Sequence, residues 1–362
     1  MKKRALAILH HVGLKRMVVF VVCGIVLFPL MGTAAEEKVL VVQTWGGVMK
    51  DVMKEAWFDP FSRLTGVKVI PADATGSIIS QIKAQVMSKN VEWDIACGIS
   101  YSSVMTLFMD DLLEPMDYSV INTKEIFEDA IEKHAIGIHV ITDGLVYNFK
   151  KFPGDHYPRN WADFWNVKKF PGPRTLIGVP YTAPKDNLSF ALLADGVPKD
   201  KLYPYDLNRA FKKMDEIKPH IRAWWSSGAH NQQLFTDEEV WLGSMWNGRA
   251  VQLIKKGVPI KIIWEQGTLS YDYWVVLKNA PHKKTAMEFL NFALQAKPQA
   301  EYVKKMFYGP VNKKTFDYLP EDVSKEFPTF PANKEKLFIQ DHRWLGEHQA
   351  ELTEKWQSWV AK

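Results

Sequence analysis

The chain has 362 residues, of which 47% are hydrophobic and 24% are charged, so its composition is that of a globular protein and excludes a disordered or fibrous one. Of its 46 basic residues, five lie among the first sixteen positions, and the other 41 match the 41 acidic residues. Nucleic-acid binding requires a basic patch, and none stands out after those first positions. The length suits two lobes better than a single core.

The first 35 residues have the three-part pattern of a secretory signal peptide. A basic start precedes an apolar run at 17–31 and three small residues at 33–35. The alternative is an uncleaved membrane anchor, but a run of about fifteen residues is shorter than the roughly twenty that span a bilayer. We therefore expect cleavage near Ala35 and a periplasmic protein. The mature chain keeps one cysteine, Cys97, which we expect to pack in the core.

The stretch from Lys38 to Phe61 predicts a strand, a glycine turn and a helix. Residues 39–42 are mostly β-branched, as in a buried strand, and Gly46 and Gly47 permit a tight turn. Apolar residues then recur at helical spacing. Open α/β folds bind ligands at the carboxyl ends of their strands, and Trp45 lies at such an end.

The same alternation of strands and helices continues along the chain. It predicts an α/β protein whose sheets are parallel over most of their length. The further strands are expected at 66–71, 94–97, 136–149 with a break at 142–144, 174–180, 240–246, 260–264 and 273–277. The further helices are expected at 79–86, 100–109, 122–133, 187–193, 206–217, 247–254, 285–296 and 344–360.

Motifs of several enzyme classes are absent from the sequence. It contains no Gly-x-Ser-x-Gly elbow, no phosphate-binding loop and no His-Glu-x-x-His motif. His342, Glu347 and His348 have the wrong spacing for a metalloprotease, and we expect them on a solvated helix face. The sequence therefore predicts no metal, no cofactor and no catalytic residue.

Aromatic residues follow several of the expected strands. Trp45, Tyr101 and Trp246 each stand at a strand end, and Tyr271 precedes Asp272. Packing in the core is the alternative for any one of them. Several at one edge would instead form a cleft that suits a cation or a sugar, since a desolvated cation over a tryptophan face gains about 2 kcal/mol.

Two acidic residues are candidate partners for an ammonium group. Asp272 lies between aromatic residues at an expected strand start, where it can accept hydrogen bonds from a cation or cap the turn. Asp186 precedes an expected helix, so it is either a ligand contact or an N-cap.

A series of short motifs resembles the periplasmic solute-binding proteins of the spermidine/putrescine type. The motifs occur in the order of that family and cover essentially the whole mature chain. They are Thr44-Trp45-Gly-Gly, Phe58-Asp-Pro-Phe61, Thr65-Gly-Val-Lys-Val, Trp93-Asp-Ile, Asp143-Gly-Leu-Val-Tyr-Asn148, Trp161-Ala-Asp-Phe-Trp165, Met245-Trp-Asn-Gly248, Tyr308-Gly-Pro-Val-Asn312 and the tail 351–359.

The resemblance implies a two-lobed periplasmic-binding-protein fold of type II, with a mostly parallel sheet flanked by helices in each lobe. The lobes are expected to be discontinuous, with a hinge near 143–146, 272–275 and 309–313. Lobe 1 would contain 36–143 and 275–311, and lobe 2 would contain 144–274 and 312–362. The function implied is that of a monomeric binding component that delivers a small amine to the permease of an ABC importer.

The resemblance places Trp45, Tyr101, Trp246 and Tyr308 on aromatic contact positions of the family and Asp186 and Asp272 on acidic ones. The full set of expected ligand-binding residues is Thr44, Trp45, Tyr101, Asp186, Trp246, Tyr271, Asp272, Tyr308 and Arg343. Three departures from polyamine binders matter. A second acid expected near Asp186 is replaced near Thr182, Ser270 stands where those proteins often have tryptophan, and Arg343 lies close to a contact position that is not basic in them. A shorter amine is therefore an alternative, as is a zwitterion whose carboxylate meets Arg343 or Arg249.

Two other readings of the sequence remain open. One is a binding protein for amino acids, opines or sugars, because Gln232, Asn247 and Gln266 can serve a sugar. The other is a periplasmic hydrolase, which would change its ligand, whereas a binding protein returns the ligand unaltered.

We predict that the exported protein begins near Glu36. The order of basic, apolar and small residues in 1–35 is the reason. N-terminal sequencing of the periplasmic fraction tests this prediction, and a chain found in the membrane fraction with Met1 in place would contradict it.

Overall fold

The computed structural model describes residues 38–75, 77–180 and 182–362. The predicted signal peptide therefore lies outside the described residues. The strands are β1 Val39–Thr44, β2 Lys68–Asp73, β3 Ile95–Ser100, β4 Ile131–Glu132, β5 Ala135–Ile141, β6 Asp143–Asn148, β7 Arg174–Ile177, β8 Ile221–Trp225, β9 Leu242–Trp246, β10 Ile260–Ile263, β11 Thr268–Val276 and β12 Phe338–Ile339.

Helices follow most of these strands. A π-helical segment, Lys54–Phe58, joins the first two helices. The helices are α1 Gly47–Met53, α2 Asp59–Thr65, α3 Ile78–Met87, α4 Tyr101–Met109, α5 Trp161–Trp165, α6 Ala183–Ala194, α7 Leu207–Ile217, α8 Gly228–Thr236, α9 Asn247–Lys255, α10 Lys283–Ala293, α11 Ala296–Met306, α12 Glu321–Ser324, α13 Pro331–Lys334, α14 His342–Glu347 and α15 Gln349–Val360.

The described strands form two sheets, each with its own hydrophobic core. The first sheet has the order β2-β1-β3-β11-β5-β4, with β12 beside β11, and the second has the order β10-β6-β9-β7-β8. Both are mixed. In the first, β1 pairs in parallel with β2 and β3, whereas β11 pairs antiparallel with β3 and β5. The expected α/β architecture is confirmed, but parallel pairing is less dominant than expected.

The chain passes between the two sheets at places that differ from the expected boundaries. β5 ends the first sheet at Ile141, and β6 starts the second at Asp143. The expected boundary between residues 274 and 275 falls inside β11. This strand is nine residues long and begins at Thr268, between the two strands expected at 260–264 and 273–277. The return after 311 also comes later, since Phe327 and Leu337 still pack in the first core and Phe338 packs in the second. Whether the two parts move as lobes remains a prediction.

Two predicted helices differ from the observed structure. The helix expected at 122–133 is instead a series of turns with a short 3₁₀ segment, Glu128–Ala130, followed by β4. Its backbone N–H groups bind other parts of the chain, as Phe127 N does with the carbonyl of Val311 at 3.0 Å, so they are not available for helical bonds. The helix expected at 344–360 is divided into α14 and α15.

We predict that Gly98→Ala destabilises the fold more than Gly47→Ala does. Both glycines have a left-handed φ, +67° and +53°, so alanine costs about 1–2 kcal/mol at either position. A Cβ at Gly47 meets nothing within 4 Å, whereas one at Gly98 would lie 2.4 Å from Trp45 Nε1. The collision displaces an indole that donates a hydrogen bond to Cys97, adding roughly 1 kcal/mol. Urea unfolding of both variants measures the difference, and equal losses would show that Trp45 moves aside at no cost.

Candidate functional site

The first strand ends at a half-exposed tryptophan with a fixed orientation. Trp45 Nε1 donates a hydrogen bond to the carbonyl of Cys97 at 2.9 Å, and 49% of the residue is exposed. Thr44 directs its hydroxyl elsewhere, to Asp73 Oδ1 at 2.7 Å. Cys97 is buried, as expected, and burial raises the pKa of its thiol. Trp45 can therefore serve as a wall, while the side chain of Thr44 braces the turn.

A cavity of about 490 Å³ lies beside Trp45, between elements of the two sheets. Hydroxyl groups from the starts of α3 and α4 form one side, and residues of α6 and α15 form the other. The lining includes Trp45, Ser77, Ser100, Ser103, Thr182 and Lys185. The cavity therefore combines an aromatic face, several hydroxyls and one ammonium group.

Tyr101, the first residue of α4, packs against His342, which the sequence did not predict as its neighbour. Its ring centroid is 5.6 Å from that of His342 at the start of α14. His342 Nε2 is buried without a hydrogen-bond partner among the described residues. Burial and the ammonium of Lys185 lower the pKa of this imidazole to about 3, and the charge of Asp272 opposes that shift. His342 is therefore neutral near pH 7. The residue is half-buried and its Nε2 is shielded from solvent, so the expected solvated helix face holds only in part for it.

Asp272 lies within β11, opposite Ser100 on one neighbouring strand and His139 on the other. It therefore does not cap a turn before the strand. Its Oδ2 is 3.1 Å from Nε2 of His139, and the carboxylate is about a quarter exposed, at 26%. No hydrogen bond to its Oδ1 forms within the described part of the chain. One oxygen of Asp272 is thus held by the protein and the other is available.

Tyr308 lies near two charged residues, Asp272 and Arg249. Its ring stacks on His139 with a centroid distance of 4.5 Å. Burial raises the pKa of its hydroxyl to about 12; the charge of Arg249 opposes this shift and that of Asp272 adds to it. Gly248 leaves the space for the tyrosine, because a Cβ there would lie 2.6 Å from Tyr308 Cε1.

The arginine that acts on Tyr308, Arg249, lies in the first turn of α9. Its side chain crosses Gly228, where a Cβ would lie 2.8 Å from its Nε. Within residues 38–75, 77–180 and 182–362, its guanidinium forms neither a hydrogen bond nor an ion pair. The sequence analysis named Arg249 only as an alternative to Arg343. The sequence does not show which of the two arginines forms an ion pair with a neighbouring acidic residue.

Trp246 ends β9 immediately before α9. It is half-buried and packs edge-on against Trp225, with centroids 5.1 Å apart and planes at 86°. The next residue, Asn247, accepts a hydrogen bond from the backbone N–H of Thr142 and donates one to the carbonyl of Phe307. These bonds tie the start of α9 to the chain segment between the two sheets.

Asp186 is buried, only 3% exposed, and one of its oxygens accepts a hydrogen bond from Gln340 at 2.7 Å. It lies in the first turn of α6 and is not the N-cap. Burial raises the pKa of its carboxyl, with Lys185 opposing the shift. Asp143 is buried nearby, and burial together with the charge of Asp186 raises its pKa well above the usual range. This pair is therefore poorly suited to present negative charge to a ligand.

Two expected contacts lie apart from the group formed by Asp272, Tyr308 and Arg249. Tyr271 is buried, and its hydroxyl donates to Asp129 at 3.2 Å. Arg343 is exposed, with 77% of its side chain accessible, and pairs with Glu347 one helical turn later. Its charge is therefore largely screened by water.

Two kinds of feature are absent from the described residues. No three His, Cys, Asp or Glu side chains come close enough there to hold a metal ion. None of the helices in the described ranges combines the length and apolar character needed to cross a membrane.

Comparison with known proteins identifies relatives along nearly the whole chain. The γ-aminobutyric acid-binding protein of Pseudomonas aeruginosa is 32% identical over 335 residues, which are 91% of this chain and 92% of that protein. The spermidine/putrescine-binding periplasmic protein of Escherichia coli is 24% identical over 174 residues, or 48% of each chain.

Solved structures show the same fold. An ABC transporter substrate-binding protein from Bradyrhizobium japonicum is 34% identical, with a TM-score of 0.82 over 89% of this chain and 99% of that one. The Atu4243–GABA receptor is also 34% identical, with a TM-score of 0.82 over 90% and 98%. AgtB from A. tumefaciens R10, in complex with agropinic acid, is 32% identical, with a TM-score of 0.73 over 90% and 99%.

The model of bacterial extracellular solute-binding proteins matches residues 56–332, which is most of the chain. The fold agrees, and the relatives are binding proteins and not enzymes. The chain belongs to the bacterial extracellular solute-binding proteins and is a substrate-binding protein of an ABC transporter.

Proposed function

We propose that this protein binds a small zwitterionic amino acid whose ammonium and carboxylate are separated by a short chain, such as γ-aminobutyric acid. The observation that carries the proposal is the position of Tyr308, which stacks on His139, the partner of Asp272, and packs against Gly248, the residue before Arg249. Asp272 has one oxygen without a hydrogen bond, and the Arg249 guanidinium has neither a hydrogen bond nor an ion pair among the described residues. The charges of Arg249 and Asp272 have opposite effects on the pKa of the Tyr308 hydroxyl. A zwitterion gives each of them a partner.

The ammonium group of the ligand binds Asp272 Oδ1, and its carboxylate binds the Arg249 guanidinium. Arginine is suited to the second contact because its planar group binds both oxygens of a carboxylate at once. Trp246 and Tyr308 line the path between the two ends and exclude water from the methylene groups. Removal of water strengthens both charge contacts, since attraction between charges grows as the dielectric falls.

A polyamine fits these charges less well. Its second ammonium group would meet Arg249 where the zwitterion places a carboxylate, and like charges at close range repel. The carboxylate expected to serve a second amine, Asp186, is covered by Gln340. The relatives named for γ-aminobutyric acid also cover about nine tenths of this chain, whereas the polyamine-binding relative covers about half.

A second candidate is a larger conjugate of an amino acid, of the opine class. The cavity beside Trp45 favours it, since about 490 Å³ lined by hydroxyls and Lys185 exceeds the needs of a four-carbon amino acid. AgtB, which was solved with agropinic acid, is a relative along most of the chain.

Delivery of the ligand follows from the family, because its members hand small molecules to a membrane permease. We propose that the chain acts as a monomer in the periplasm after removal of residues 1–35. A ligand held by Asp272 on the first sheet and Arg249 on the second would draw the two parts together, as in other hinged binding proteins.

Asp272→Asn should weaken binding of γ-aminobutyric acid by about tenfold to a thousandfold. The substitution keeps the shape but removes the charge that pairs with the ammonium group, and breaking one side of such a desolvated pair costs roughly 2–5 kcal/mol. Calorimetric titration measures the change. Trp246→Ala should also bind more weakly, but with little dependence on salt. Parent-like affinity in Asp272→Asn would place the amine elsewhere.

Arg249→Gln should lower affinity for γ-aminobutyric acid by at least about tenfold and lower affinity for putrescine far less. The variant loses the partner of the carboxylate, which putrescine lacks. Arg343→Gln is the matched control, since that arginine is exposed and already paired with Glu347. Titration of all three proteins with both ligands decides between the arginines. A loss confined to Arg343→Gln would reverse the assignment.

A further inference from the structure

Two buried side chains stand directly behind the Asp272 carboxylate. His139 is 1% exposed, and its Nε2 is 3.1 Å from Asp272 Oδ2. Its other ring nitrogen, Nδ1, is 2.9 Å from the hydroxyl oxygen of Tyr302, which is fully buried. The three side chains form one continuous chain of hydrogen bonds from the core to the candidate site.

The chemistry of the groups fixes the positions of the protons. A carboxylate only accepts hydrogen bonds, so Nε2 of His139 carries a hydrogen and donates it to Asp272. In the tautomer with its single hydrogen on Nε2, Nδ1 is an acceptor, and the Tyr302 hydroxyl donates to it. Burial raises the pKa of Tyr302 well above its usual range, so this hydroxyl keeps its proton. One tautomer of His139 is therefore favoured.

Aromatic stacking holds the imidazole ring in place. Tyr308 lies on it with centroids 4.5 Å apart and planes at 22°, and Tyr302 is nearly parallel to it at 5.7 Å. His139 is thus in contact with two candidate ligand-binding residues at once, Asp272 by a hydrogen bond and Tyr308 by its face. Its position sets the position of both.

We propose that His139 and Tyr302 are positioning residues, which hold the Asp272 carboxylate in place through its Oδ2 and leave its Oδ1 for the ammonium group of the ligand. This inference rests on the proposed function. His139 donates a hydrogen bond to Asp272 Oδ2, and Tyr302 keeps the donor on the correct nitrogen. Without the donor, Oδ2 of this largely buried carboxylate loses its partner, and the carboxylate can turn away from the position that the ligand requires.

The experiment compares His139→Leu with His139→Gln by calorimetric titration with γ-aminobutyric acid at neutral pH. Leucine cannot donate, so we expect roughly tenfold weaker binding. Glutamine can donate from its amide, so we expect affinity within about threefold of the parent. His282→Leu is the matched control, because His282 Nδ1 pairs with Asp94 Oδ2 at 3.0 Å away from Asp272.

A second measurement covers the case in which His139→Leu does not fold. ¹⁵N NMR of histidine-labelled parent protein should show His139 protonated on Nε2, and Tyr302→Phe should populate both tautomers and bind several-fold more weakly. Equal losses of affinity in His139→Leu and His139→Gln would reduce His139 to a packing role and overturn the inference, as would an Nδ1-protonated His139. If Asp272→Asn binds like the parent, the proposed function itself fails. If only Asp272→Asn loses affinity, the positioning role alone is wrong.

Discussion

Pairing of β11 on both of its edges is the constraint on which the candidate site depends. The strand lies between β3 and β5, so Asp272 is opposite Ser100 on one side and His139 on the other, although these residues are far apart in the sequence. The backbone of a strand that is bonded on both sides cannot shift without breaking the ladder. The candidate site therefore has an acidic residue on a fixed backbone, and residues beside the second sheet lie around it.

Burial separates two acidic residues of this region, Asp143 and Asp186, from the partly exposed Asp272. Asp143 and Asp186 lie close together in the interior, where desolvation and mutual repulsion favour the protonated form. Asp272 differs because it is partly exposed and receives a hydrogen bond from His139. Of these three acidic residues, Asp272 is therefore the one suited to bind a cation. This difference is set by the surroundings and not by residue type, which is why the sequence placed Asp186 and Asp272 in the same group.

The sequence predicted the elements whose signals are local. The apolar run and glycine turn around Trp45 predicted β1 and α1, and the alternation of strands and helices predicted the fold class. Features set by long-range contacts were missed. The segment 122–133 has helical spacing but bonds to distant backbone, and β11 begins five residues earlier than expected, at Thr268. A motif can mark a candidate residue, but it does not indicate that the Arg343 side chain pairs with Glu347 while the Arg249 guanidinium has neither a hydrogen bond nor an ion pair among the described residues.

The two proposed charges lie on different parts of the chain, Asp272 on β11 of the first sheet and Arg249 on α9, which follows a strand of the second, and this separation would link recognition to closure. A ligand shifts a conformational equilibrium only by its difference in affinity for the two states. A molecule with one charged end can satisfy either Asp272 or Arg249 in an open cleft and gains little when the parts approach. A zwitterion of the right length satisfies both only when they are close, so its second contact is formed on closure. With the proposed contacts, a closed state that is competent for delivery would select ligands by the distance between their two charges. The total charge of the ligand would matter less.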